Sequence, residues 1–237
     1  MDDKLHKIIN ERPRFHRGET EIDRPFSNEE SLLSRKMVEK INGKELTCYG
    51  IGEDVLSFIA QNVNEGSKTL ETGAGCSTLV FAFLGTDHTA VTPSHSEIEL
   101  ISDYATENEI PMDAVRFIQE SSDQYLPSCK EGGFDLVLLD GKHAFPWPII
   151  DWFFTADKLK EGGLMIIDDA EMRSVSILVD FMRSDTGWQL IESFSGKTIV
   201  FKKMRASIHD VAWHMQAYAV PGALQKIGNR LKQFLKE

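Results

Sequence analysis

From residue 68 to residue 167 short apolar runs alternate with segments of helical period, and this alternation limits the fold more than any other feature of the chain. Residues 68–72, 88–92, 114–118, 134–139 and 164–167 read as strands, with helices over 96–108 and 147–159 between them. Strands separated by helices are joined by crossovers, and right-handed crossovers give a parallel sheet covered on both faces. The expected fold class is therefore α/β, a doubly wound, mostly parallel sheet with helices on both faces. Two more apolar runs, 188–194 and 198–203, are joined only by Ser195-Gly196-Lys197, a hairpin connection, so the last strand is expected to be antiparallel.

The flanks are less regular. In the charge-rich first 44 residues a helix is expected where Leu32, Leu33, Met37, Val38 and Ile41 recur after the caps Ser27 and Asn28. A second helix, carrying Ile51, Val55, Phe58 and Ile59, leads through Asn64-Glu65-Gly66 into the first strand of the sheet. After residue 205 two amphipathic segments flank Pro221-Gly222, the second with Leu224, Ile227, Leu231 and Phe234 on one stripe. The expected organisation is an N-terminal helical or lid extension (1–44), one α/β domain (45–204) and a C-terminal helical extension (205–237), with a homodimer through the extensions left open.

Composition removes several classes of function. No apolar run approaches the roughly 18 residues that span a bilayer, and Met1 to Phe15 lacks the apolar stretch of a secretory signal, so a cytoplasmic protein with no membrane partner is expected. A formal charge of -11 repels a phosphate backbone, and no lysine and arginine cluster with interleaved aromatics is present, so nucleic acid is not expected as a partner. Cys48, Cys76 and Cys129 have neither a CxxC nor a Cys/His ligand spacing and read as reduced thiols. A small-molecule substrate fits best.

Leu70-Glu71-Thr72-Gly73-Ala74-Gly75-Cys76-Ser77-Thr78 sets a Gly-x-Gly loop between the first sheet strand and a helix. Glycines there admit close approach of a ligand, and the helix N-terminus favours a carboxylate or phosphate. A tight βα turn alone would read the same way, but ligands bind beyond the strand ends of doubly wound sheets, which is where this loop lies. The dinucleotide fingerprint is incomplete, because Thr78 stands where its third glycine belongs.

Two strand ends carry acids: Leu139-Asp140-Gly141-Lys142-His143 and Ile167-Asp168-Asp169. In a parallel sheet both open on the edge that bears the glycine loop. Each Asp alone is equally a helix cap or turn former. Together, three carboxylates repel unless a positive charge lies among them, and a hard divalent cation such as Mg²⁺ takes oxygen ligands of this kind. A neutral imidazole at His143 can accept a proton near pH 7, with Lys142 as the other candidate base if its pKa is depressed. Phe145, Trp147, Trp152 and Phe154 either wall an acceptor or form the core face of a helix entered through Pro146 and Pro148.

Glu71-x-Gly73-x-Gly75 resembles motif I of the class I S-adenosylmethionine-dependent methyltransferases, and the final hairpin is similar to the one that sets their Rossmann-like sheet apart; the resemblance covers about residues 49–203. It implies a cofactor site of Glu71, Gly73, Ala74, Gly75 and Ser77, with Ser121, Ser122 and Asp123 near adenine and Asp140 at the edge. The family's ribose-binding carboxylate would stand at Thr92, with Ser94 close behind, so a hydroxyl replaces an acid. The acids resemble the metal-dependent O-methyltransferases of the catechol and antibiotic-sugar Asp-x-x-His types. That likeness implies Asp140, Asp168 and Asp169 as ligands of Mg²⁺ or another divalent cation, His143 as general base, and O-methylation of a small hydroxylated acceptor. Two alternatives stay open: a metal-independent methyltransferase of the same fold, and a catalytically silent binding or assembly protein that keeps the scaffold.

Overall fold

The structure is a computed structural model that describes residues 3–16, 38–41, 44–47 and 49–219. A seven-stranded sheet comprises β3 (Lys68–Thr72), β4 (Asp87–Val91), β5 (Val115–Ile118), β6 (Phe134–Leu139), β7 (Leu159–Ile167), β8 (Trp188–Phe194) and β9 (Thr198–Lys203). Their order is β5-β4-β3-β6-β7-β9-β8, and all pairings are parallel except the two made by β9. The expected α/β sheet with an antiparallel last strand is what forms. That strand lies inside the sheet, between β7 and β8, and not at its edge.

Period-two alternation explains why the sheet is covered on both sides. Leu136 and Leu138 of β6 join one buried cluster and Val137 and Leu139 the other. The first cluster is closed by α1 (Asp3–Glu11), α2 (Glu53–Asn62), α3 (Cys76–Phe83) and α4 (His95–Glu107). The second is closed by α6 (Trp147–Ala156) and α7 (Arg173–Ser184), while the single-turn α5 (Ser122–Tyr125) lies between β5 and β6 in sequence. Trp152 and Ala156 are buried in that second core and Phe154 packs against it, whereas Phe145 is exposed, so two of the four aromatics are packing residues.

The sequence reading did not single out α1. Leu5, Ile8, Ile9 and Phe15 are nonetheless buried in the core, at i, i+3 and i+4 spacing within the helix. A correction applies to the helix expected through Val38 and Ile41. Those residues bound β1 (Val38–Ile41), which pairs antiparallel with β2 (Lys44–Thr47). Asn42-Gly43 between them is a strong hairpin signal in the sequence, and it outweighs the helical spacing. Leu32, Leu33, Met37, Ser27, Asn28 and the whole segment from Pro221 to Phe234 lie outside the described residues. Among the described residues no helix is long and apolar enough to cross a membrane.

Register fixes where the chemistry can gather. Thr72 pairs with Val91 and with Leu139, Val91 with Ile118, and Leu139 with Ile167, so five strand ends finish level along one edge. The order reverses at β3, whose neighbours are β4 and β6, and a crevice opens beyond the strand ends at such a switch point.

Candidate functional site

At that switch point a cleft of about 550 Å³ is bordered by Gly73 and Ala74 on one wall and by Thr92, Ser94 and Glu97 on another. Ser121, Ser122 and Asp123 line it after β5, and Gly141, Lys142 and Trp147 after β6. Most of the expected cofactor residues therefore meet in one place. Glu71, Gly75, Ser77 and Asp140 do not border it. Glu71 is buried below the loop, where Ser77 donates to its Oε2 at 2.6 Å, Thr78 donates to Oε1, and His88 Nε2 lies 3.1 Å from Oε1. Thr78 also accepts the Gly75 amide at 3.0 Å. The acid of the motif thus shapes the loop from beneath through the first turn of α3, and Thr78 occupies the missing-glycine position because its hydroxyl is part of that network.

Lys142 is engaged by an aromatic ring. Its Nζ sits 3.6 Å from the Trp147 ring centroid, and the Trp147 indole donates to Asp123 Oδ1 at 3.4 Å. Trp147 is therefore a cleft wall, as are Ser122 and Asp123.

The acid cluster stands beside the cleft. One ligand atom each of Asp140, His143 and Asp169 lies within 4.8 Å of the other two, with His143 Nε2 at 3.0 Å from Asp169 Oδ2 and 3.9 Å from Asp140 Oδ1. Asp168 is not one of these three. It accepts a hydrogen bond from Thr198 and faces Lys197 Nζ at 3.3 Å, and the same ammonium lies 3.8 Å from Asp169 Oδ1. Burial, then the charges of Asp168 and Asp169, hold the Asp140 carboxyl well above the usual carboxylate range. Burial and Asp168 raise Asp169 too, against the pull of His143 and Lys197. Burial alone would lower the Lys197 ammonium, but the carboxylates of Asp168, Asp169 and Asp140 outweigh it and the net shift is upward.

Lys197 was not a sequence candidate, and a turn put it there. Ser195 (φ 51°) and Gly196 (φ 74°) occupy the two positive-φ positions of a type I′ turn closed by the Lys197 N–H to Phe194 carbonyl bond at 2.9 Å. The hairpin then delivers the lysine to the strand-end edge.

Asp151 of α6 is a further acid that sequence reading missed. It is 2% exposed. Burial pushes its carboxyl up to about 6, the neighbouring Ser122 and Thr72 hydroxyls oppose that rise, and Asp123 adds to it. An acid raised in the folded state is held protonated, so it costs nothing below its ordinary value and an increasing amount as pH climbs towards 6. Asp151→Asn is expected to add about 1–3 kcal/mol of stability at pH 8 and nothing near pH 4. Urea unfolding at the two pH values checks this, and an equal gain at both would detach it from the carboxyl's titration.

Residues 70–170 match the family model described as a methyltransferase domain. No curated relative matches. Among solved structures, the O-methyltransferase TomG from Streptomyces achromogenes, involved in tomaymycin synthesis and determined with S-adenosylmethionine, has a TM-score of 0.56 at 11% identity, covering 86% of this chain and 91% of that one. The fold is the Rossmann-like methyltransferase fold. A candidate caffeoyl-CoA O-methyltransferase from Staphylococcus aureus has a TM-score of 0.55 at 16% identity, over 65% of this chain and 85% of its own. An rRNA methylase from Streptococcus thermophilus has a TM-score of 0.51 at 14% identity, over 65% and 96%. At these identities the structures speak for the fold alone. It is the matched domain that supports an S-adenosylmethionine-dependent methyltransferase.

Proposed function

We propose that the chain transfers a methyl group from S-adenosylmethionine to the hydroxyl oxygen of a small acceptor, with His143 as the base and a divalent cation at Asp140 and Asp169. The observation that carries this reading is the convergence of Asp140, His143 and Asp169 beside the glycine-loop cleft. The residues fit a hard cation. Asp140 and Asp169 offer carboxylate oxygens at one point beside His143, and burial together with the charges of Asp168 and Asp169 raises the Asp140 carboxyl, a load that a positive ion relieves. Bound there, the cation would lower the pKa of an acceptor hydroxyl.

The residues of the chain do the rest. His143, 29% exposed at its side chain, takes the hydroxyl proton as the acceptor oxygen bonds to the methyl carbon and the carbon–sulfur bond breaks. Asp169, 3.0 Å from Nε2, orients the imidazole. The cleft walls set acceptor and sulfonium in line, which is most of what a methyl transfer requires.

Lys197 favours a second, metal-independent reading, since an ammonium already neutralises Asp168 and Asp169. Thermal melts with S-adenosylmethionine, each with Mg²⁺ or a chelator, separate the two. A ligand at about 100 times its Kd adds about 2.7 kcal/mol, several degrees for a chain of this size. Under the first reading Mg²⁺ gives such a shift, and the double variant Asp140→Asn/Asp169→Asn loses it. Indifference to both Mg²⁺ and chelator supports Lys197 as the resident cation. A chain that does not respond to saturating S-adenosylmethionine is a silent binding protein.

A further inference from the structure

The position at the end of β4 where the related enzymes' ribose acid would stand holds Thr92, 3% exposed, yet the cleft beside it is not without a carboxylate. Glu97, in the first turn of α4, borders the cleft with Thr92, and Thr92 Oγ1 donates to Glu97 Oε2 at 3.1 Å. On the other side His16 Nδ1 lies 3.3 Å from Glu97 Oε1.

Ser94-His95-Ser96-Glu97 is a capping-box sequence, in which the glutamate ordinarily folds back to accept the N-cap amide. Here only half of the box forms. The Ser94 hydroxyl accepts the Glu97 amide at 3.3 Å, but the Ser94 amide donates to Thr92 Oγ1 at 3.2 Å. With its usual partner taken by Thr92, the Glu97 carboxylate is turned to the cleft, where the positive end of α4 stabilises its charge. A carboxylate has about four acceptor sites, and Thr92 and His16 use two. Two remain, on one small anion bordering a cleft that the glycine loop also borders, and two acceptor sites on one carboxylate suit a pair of vicinal hydroxyls.

We propose that Glu97, held by Thr92 and His16, is the residue that receives the ribose hydroxyls of the adenosyl cofactor. The assignment rests on the S-adenosylmethionine reading above. It accounts for the threonine at the end of β4: its hydroxyl positions the acid one helical turn further on. Hydrogen bonds to a charged acceptor are worth about 1.5–3 kcal/mol, or about 10- to 160-fold in affinity.

Calorimetric titration of the full chain with S-adenosylhomocysteine and with its 2′-deoxy and 3′-deoxy analogues tests the assignment. The unaltered chain is expected to bind S-adenosylhomocysteine and to lose about 10-fold or more when either hydroxyl is missing. Glu97→Gln should bind about 10-fold more weakly with little change in Tm. In Glu97→Ala the further loss from removing a hydroxyl should shrink below about threefold, because partner deletions on one interaction are not additive. Thr92→Asp/Glu97→Ala, which returns an acid to the strand end, should regain most of the affinity. Unchanged affinity in Glu97→Gln, independent multiplication of the two losses in Glu97→Ala, or an unaltered chain that does not distinguish the deoxy analogues overturns the assignment and leaves the methyltransferase reading intact. An unaltered chain that does not bind S-adenosylhomocysteine at all overturns both.

Discussion

Replacing His143 with alanine is expected to reduce methyl-transfer turnover by about 10²- to 10⁴-fold while cofactor affinity stays within about twofold. The imidazole stands with Asp140 and Asp169 and does not border the cofactor cleft, so its removal should act on the chemical step and not on binding. The measurement is release of S-adenosylhomocysteine with an acceptor that the unaltered chain turns over, alongside calorimetric cofactor binding for both proteins. Lys142 is a poor substitute base, because its ammonium is committed to the face of Trp147. Turnover that survives in His143→Ala would take proton abstraction away from His143. A loss of cofactor binding as large as the loss of turnover would make the residue structural.

The fold was legible because its signals are local and mutually consistent. Apolar runs such as Phe134–Leu139 and the glycine loop each imply the same parallel architecture, and Ser195-Gly196 announces the hairpin that breaks it. The beginning of β7 was not legible: Lys160-Glu161-Gly162-Gly163 reads as a turn, and only pairing with β6 and β9 draws the region into a strand that starts at Leu159. The first helix was hidden by composition. Asp3–Glu11 is mostly charged and polar, and its three buried residues become a signal only once α2 and α3 supply the apolar surface they cover.

The site divides in the same way. Residues tied to a strand end, namely Gly73, Asp140, His143 and Asp169, could be placed from sequence because strand ends in a parallel sheet share an edge. Lys197, Glu97 and His16 arrive from a hairpin turn, a helix turn and an N-terminal segment, and their convergence depends on packing angles that no spacing encodes. Asp168 shows the remaining limit. Asp168 and Asp169 both reach the Lys197 ammonium, at 3.3 and 3.8 Å, but of the pair Asp169 alone belongs to the set with Asp140 and His143. Asp169, with φ at 54°, faces His143, whereas Asp168 faces Thr198 and Lys197.

Gly73→Ala is expected to remove about 3 kcal/mol or more of stability, lowering Tm by about 6–12 °C, and to abolish the cofactor-dependent rise in Tm. Gly73 has φ +94°, and its amide donates to the Val91 carbonyl at 2.9 Å, so the residue cannot relax to negative φ without breaking the bond that joins the loop to β4. A Cβ added there would meet the Asp140 carbonyl oxygen at 2.5 Å and its carbon at 3.1 Å. That neighbour is backbone, so rotamer adjustment does not relieve the clash. The first glycine of the loop therefore also sets how closely the segment carrying Asp140 and His143 approaches the cleft. A methyl group at residue 73 pushes the two strand-end loops apart, and the cofactor wall and the acid cluster should fail together. Melting with and without S-adenosylmethionine, followed by cofactor titration at a temperature where the variant is folded, checks both halves. A Gly73→Ala chain that melts normally and still binds would show that the glycine is required neither by its backbone conformation nor by the approach of Asp140.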